Sequence, residues 1–136
     1  MKLKSATTLI LLFYAVLLIF SSPVLSADDP GFAISRMVMC EKISDREPYG
    51  IKDTFPDTTE VVYCFLEATN IEIDTTVSFV WYFEGQEKAR VTLPLQKSKR
   101  WRTFSSKKLA NLKGNWAVEL QDELGIILNS VSFLVQ

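Results

Sequence analysis

Thr76-Val77-Ser78-Phe79-Val80-Trp81-Tyr82-Phe83-Glu84, followed by Gly85-Gln86-Glu87, decides the fold. Val77, Phe79, Trp81 and Phe83 recur at every second position. Successive side chains of a strand point to opposite faces, so this spacing describes a strand with one apolar face. Gly85-Gln86-Glu87 is a turn signal. The returning segment alternates again, with Ala89, Val91, Leu93 and Leu95 on one side and Arg90 and Thr92 on the other. A three-residue loop at 85–87 would pair Phe83 with Ala89, Trp81 with Val91 and Phe79 with Leu93. A two-residue loop would set Arg90 against Trp81. A one-residue slip moves every side chain to the other face, so a consistent core selects the three-residue loop.

The same period extends in both directions. Phe32 to Ile43 is a first extended segment of mixed pattern. Val61 to Leu66 is apolar on both faces and reads as a buried strand. Between them, 44–59 is rich in Asp, Pro, Gly and charge and reads as a long connection. Downstream, a short strand is expected near Trp101 to Phe104, then a helical turn or loop over Ser105 to Leu112. Trp116, Val118 and Leu120 face inward on the next strand. Asp122-Glu123-Leu124-Gly125 turns the chain, and Ile127, Val131, Phe133 and Val135 return inside. About seven short strands without an amphipathic helix predict an antiparallel, immunoglobulin-like β-sandwich, with a small β-barrel as the alternative.

The N-terminus addresses the compartment. Lys2 and Lys4 precede a 12-residue apolar run, Leu9 to Phe20, and a small-residue zone ending at Ser26-Ala27. A basic start, a short apolar stretch and small residues describe a signal peptide over 1–27. A spanning helix wants about 20 apolar residues. An uncleaved anchor is the alternative, and only then is a membrane involved. The expectation is export to the periplasm or beyond, with 28–136 as a single domain. Without Lys2 and Lys4 the chain carries 13 basic and 16 acidic residues, a net charge of −3. That balance argues against nucleic acid.

Histidine is absent, which removes Ser-His-Asp and Cys-His catalysis and every His-based metal site. Asp53 and Asp57 lack the ligand count and spacing for calcium. Neither catalytic residues, nor a metal, nor a cofactor are expected. Cys40 and Cys64 read as one disulfide in an oxidising compartment. If the two flanking strands pair about the centre of the intervening loop, the cysteines fall opposite each other.

One segment concentrates binding groups. Lys97, Lys99, Arg100, Arg102, Lys107 and Lys108 place six cations in twelve residues with no acid among them. Such a field attracts carboxylates, phosphates or an acidic protein surface. Arg100 and Arg102 share a strand face around Trp101, and Ser105 and Ser106 add hydroxyls. The candidate surface is Arg100, Trp101, Arg102, Ser105, Ser106 and Lys107, with Tyr82 and Arg46 beside it. Its partner would be an acidic envelope protein or a glycan. The competing reading is that Lys residues protect an edge strand while Arg102 and Lys107 pair with Asp45, Glu47 or Asp122. Tyr82 and Trp101, off the core parity, offer a stacking platform for sugars, as a second reading. A purely structural accessory domain is the third. Composition leaves the oligomeric state open.

Five motifs stand in order: Asp45-Arg46-Glu47-Pro48, Val62-Tyr63-Cys64-Phe65, Trp81-Tyr82-Phe83-Glu84-Gly85, Trp101-Arg102-Thr103-Phe104-Ser105-Ser106-Lys107, and Gly114-Asn115-Trp116. This order resembles a bacterial family known as domain of unknown function 2914. The resemblance implies an extracytoplasmic or membrane-associated accessory β-domain and no activity. Where that family's pattern usually has a His two residues before the Trp of the third motif, this chain has Phe79.

Overall fold

The computed structural model describes residues 29–136. The signal-peptide reading of 1–27 lies outside them. Nine strands form two sheets, and no helix occurs among the described residues. One sheet holds β1 (Ala33–Ser44), β2 (Glu47–Ile51), β4 (Val61–Ile71) and β7 (Ser98–Lys108), in the order β2-β1-β4-β7. The other holds β3 (Thr54–Phe55), β5 (Thr75–Phe83), β6 (Gln86–Leu95), β8 (Gly114–Gln121) and β9 (Ile127–Val135), in the order β3-β9-β8-β5-β6. All pairings are antiparallel except β3 with β9. The all-β sandwich expected from the period is the fold.

The core lies between the sheets. Val77, Phe79 and Trp81 from β5 are wholly buried with Val118 and Leu120 from β8. From the other sheet come Met37 and Met39 of β1 and Val62, Cys64, Leu66 and Ala68 of β4. Trp116 and Phe133 stack at 5.8 Å, and Trp81 meets Phe133 edge-on at 6.3 Å. Phe79 is thus a core residue.

Several details differ from the sequence reading. The 44–59 connection contains two strands, β2 and β3, which raises the count from about seven to nine. The β5–β6 turn has two residues, Glu84 and Gly85, both at positive φ, which suits the twist of a tight hairpin. A bulge between Trp81 and Tyr82 then absorbs one residue. Ala89 therefore opposes Trp81, and Val91 opposes Phe79. The apolar face is kept by the bulge rather than by a longer loop. The helical turn expected from Ser105 does not form, because β7 stays paired with β4 through Val61↔Lys108. Ile127 is exposed, while Phe133 and Val135 are buried as expected.

The disulfide is corrected too. Cys40 pairs with Tyr63, and Cys64 pairs with Met39. Directly opposed residues share a face and their neighbours take the other, so the two cysteines point to opposite sides of the sheet. Cys64 joins the inter-sheet core, and Cys40 does not. Both are buried free thiols.

Candidate functional site

The outer face of the four-stranded sheet is built by the alternate positions of β1, β4 and β7. Register places Glu67 between Arg36 and Arg102, and Phe65 between Val38 and Phe104. One row further, Tyr63 sits between Cys40 and Ser106. This face would be an ordinary solvated surface if β1 and β2 ran straight. They do not. Glu47 is in register with Ser44, yet its Oε2 accepts from Arg36 Nη2 at 2.8 Å. Eight residues of extended strand span roughly 26 Å. The β1–β2 hairpin therefore folds back over the sheet. Its turn residues, Asp45 and Arg46, have φ of 51° and 60°, the left-handed conformation of a two-residue hairpin turn.

The folded hairpin converts the face into a site. Glu47 receives three arginines from two other strands: Arg36, Arg102, and Arg100 at 3.5 Å. Glu67 takes Arg100 Nε at 2.6 Å and the Ser35 hydroxyl at 2.8 Å. The hydrogen bond from Arg36 holds the Glu47 carboxyl below its usual value, against a smaller opposing effect of burial, with Arg102 adding to the lowering. Glu67 is held low first by Ser35 and then by Arg100, again against burial. The Arg36 guanidinium lies 4.8 Å above the ring of Phe65, a cation–π contact. Phe65 is only 1% exposed although it faces outward. Tyr63 and Phe104 meet edge to face at 5.8 Å.

Two adjoining recesses result. One, of about 470 Å³, lies between the hairpin tip (Ile43, Asp45, Arg46) and the ring walls of Tyr63, Phe65 and Phe104. The other, of about 330 Å³, is lined by Arg46, Arg100, Trp101 and Arg102. Arg46 and Arg102 belong to both. Among the described residues no carboxylate pairs with Arg46. Four arginines thus meet two paired carboxylates, with Asp45 exposed at the tip. Among the described residues no cluster of His, Cys, Asp or Glu is arranged to hold a metal.

The structure brings Arg46, Arg100, Trp101 and Arg102 together around one recess and disperses Ser105, Ser106, Lys107 and Tyr82. Trp101 opposes Ala68 and packs partly buried against the core, so it is not the exposed aromatic expected. Ser105 is buried and accepts a hydrogen bond from Trp81 Nε1 at 3.0 Å. Ser106 is exposed on the outer face. Lys107 sits at the far end of β7, its Nζ 6.0 Å from the Trp116 ring centre. Tyr82 is on the other sheet, with its hydroxyl pKa raised by a hydrogen bond to Glu119. A platform shared by Tyr82 and Trp101 does not form. Arg36, Glu47 and Glu67 were missed as site residues. Glu47 alone left a signal, as a possible partner of Arg102.

With this geometry in view, the comparisons with known proteins locate the chain. Residues 74–135 match the family described as Protein of unknown function (DUF2914). The resemblance read from the motifs is borne out over that span, β5 to β9. Asp45 to Pro48 and Val62 to Phe65 precede it. No curated protein matches the chain. An immunoglobulin-like protein from Pseudomonas aeruginosa is 14% identical, with a TM-score of 0.52 over 77% of this chain and 96% of its own. That likeness shows the fold. A β-glucosidase from Listeria innocua in complex with laminaribiose is 9% identical, with a TM-score of 0.49 over 77% of this chain and 16% of its own. A β-D-glucoside glucohydrolase from Trichoderma reesei is 11% identical, with a TM-score of 0.47 over 77% of this chain and 19% of its own. The chain spans under a fifth of the length of each of these enzymes.

Proposed function

We propose that this chain is a non-enzymatic, exported interaction module of the cell envelope that docks an acidic partner on the outer face of its four-stranded sheet. The observation that carries the reading is the recess where Arg46 stands beside Arg100 and Arg102 without a carboxylate of its own. Glu47 shows which group suits the place. One carboxylate there draws three guanidiniums, and a partner's carboxylate would find Arg46 still free. Tyr63 and Phe104 give the partner an apolar wall beside the charge. Planar guanidinium groups match carboxylates in two-point geometry, which favours acidic side chains over a diffuse anion.

The test is binding of a fluorescent oligoglutamate peptide to the protein at low and high salt. Arg46→Asn is the informative variant, because Asn tolerates the positive φ of the turn. The expected result is affinity that falls with salt and weakens about ten-fold or more in the variant. Unchanged affinity in the variant would remove the recess from the reading.

A further inference from the structure

We infer that β7 is a docking edge, and that the acidic partner adds to it as an extra strand. The inference rests on the proposed docking role, not on the recess. β7 ends its sheet, with β4 on one side and no strand on the other among the described residues. It is 11 residues long, and it pairs with β4 without a bulge from Ile71↔Ser98 to Val61↔Lys108. It contains no proline. Half of the N–H and C=O groups of such a strand point away from its partner, ready to pair with another chain.

The other sheet ends are built differently. β6 carries Pro94, and a bulge interrupts its pairing with β5. β3 has two residues, and β2 has five and is folded over the face. Only β7, among the described edges, is long, regular and open. Its defence is one local cap and charge. The cap is the Ser98 hydroxyl, which accepts from the Arg100 N–H and donates to its C=O. The charge is Lys99, Arg100, Arg102, Lys107 and Lys108 with no acid on the strand, Arg100 and Arg102 being paired with Glu47 and Glu67 across the face. That charge discriminates between occupants. A second copy of β7 would set cation against cation, which destabilises a strand pair. An acidic strand would set carboxylate against cation, which stabilises it. The edge therefore rejects self-pairing and selects an extended acidic segment of another protein.

The pattern along β7 describes that segment. The cations form two groups, 99–102 and 107–108, separated by the uncharged Thr103-Phe104-Ser105-Ser106. Phe104 is 43% exposed on the outer face. The matching strand carries acidic residues at both ends and apolar or hydroxyl residues in the middle, with one large side chain beside Phe104. Main-chain bonds supply affinity in such additions and the side-chain pattern supplies choice.

The test uses a peptide of about ten residues with Glu at both ends and alternating Val and Thr between. Two isomers carry N-methyl groups on alternate residues, one set on each edge. The unmodified peptide is expected to bind and to slow amide exchange in β7. One methylated isomer is expected to lose about ten-fold or more, because several hydrogen bonds are blocked together, and the other to bind as the parent. Lys99→Glu with Lys108→Glu should weaken the peptide, and Arg46→Asn should leave it bound. Equal binding by both isomers, or exchange slowed at the hairpin tip instead of β7, overturns the inference. If the peptide fails while oligoglutamate still binds in an Arg46-dependent way, the edge is refuted and the recess stands. If the peptide binds the edge and oligoglutamate ignores Arg46, the recess is refuted and the edge stands.

Discussion

Replacing Ser105 by Ala asks whether the serines of the basic strand serve the core or the surface. The Ser105 hydroxyl accepts from the Trp81 indole N–H at 3.0 Å. Trp81 is wholly buried, and Ser105 is 4% exposed. The substitution removes one oxygen and leaves that indole N–H buried without an acceptor. Losing the bond and stranding its donor costs about 1–3 kcal/mol. For a fold of this size that is a drop in Tm of about 4–12 °C. Thermal unfolding read by near-UV circular dichroism measures it. In a Trp81→Phe background the donor is already gone, so Ser105→Ala should cost much less there, and the cycle isolates the pair. Oligoglutamate binding should be unchanged, since this serine faces the core. An equal cost in both backgrounds, or a cost below about 0.5 kcal/mol, would refute the bond and the strand register behind it.

Thiol titration of denatured, unreduced protein should find two free thiols, and the native protein should react slowly, because burial pushes the Cys64 thiol up. No free thiol would mean that the β1–β4 register is wrong by one residue. Stability should hold above pH 4.5 and fall as acid takes the solution below that value. Glu47 and Glu67 keep their charge to lower pH in the fold than the ordinary 4.5 of the unfolded chain, so their contribution is complete above it and is lost through the lower folded values. Asp57, held low by the hydrogen bond from Lys113, adds to the fall below its ordinary 3.8. Thermal unfolding against pH checks this, and Glu47→Gln should flatten the curve.

The sandwich was legible because Val77, Phe79 and Trp81 alternate, and a period of two leaves no helical reading. What failed was register. The bulge after Trp81 lets a two-residue turn keep Ala89 inside, and a bulge has no composition of its own. Cys40 and Cys64 were one residue from facing each other, and one residue is the difference between the two sides of a sheet. β2 and β3 were hidden in a stretch of Pro, Gly and charge, because β3 exists through pairing with β9 from the far end of the chain. The site shows the same split. Arg100 and Arg102 were visible as same-face neighbours. Arg36 and Glu67 were not, because only the sheet brings β1, β4 and β7 side by side. Arg46 was named beside them, but what carries it there, the fold-back of the β1–β2 hairpin, is stated by no local pattern.

The most direct measurement is an amide NMR titration of the protein with oligoglutamate at low salt. Docking on this face predicts shifts confined to the hairpin tip, 44–47, and to β7, centred on Arg100 to Phe104, and their loss in Arg46→Asn. Shifts centred on the five-stranded sheet around Lys88 and Arg90, or none at all, would contradict it.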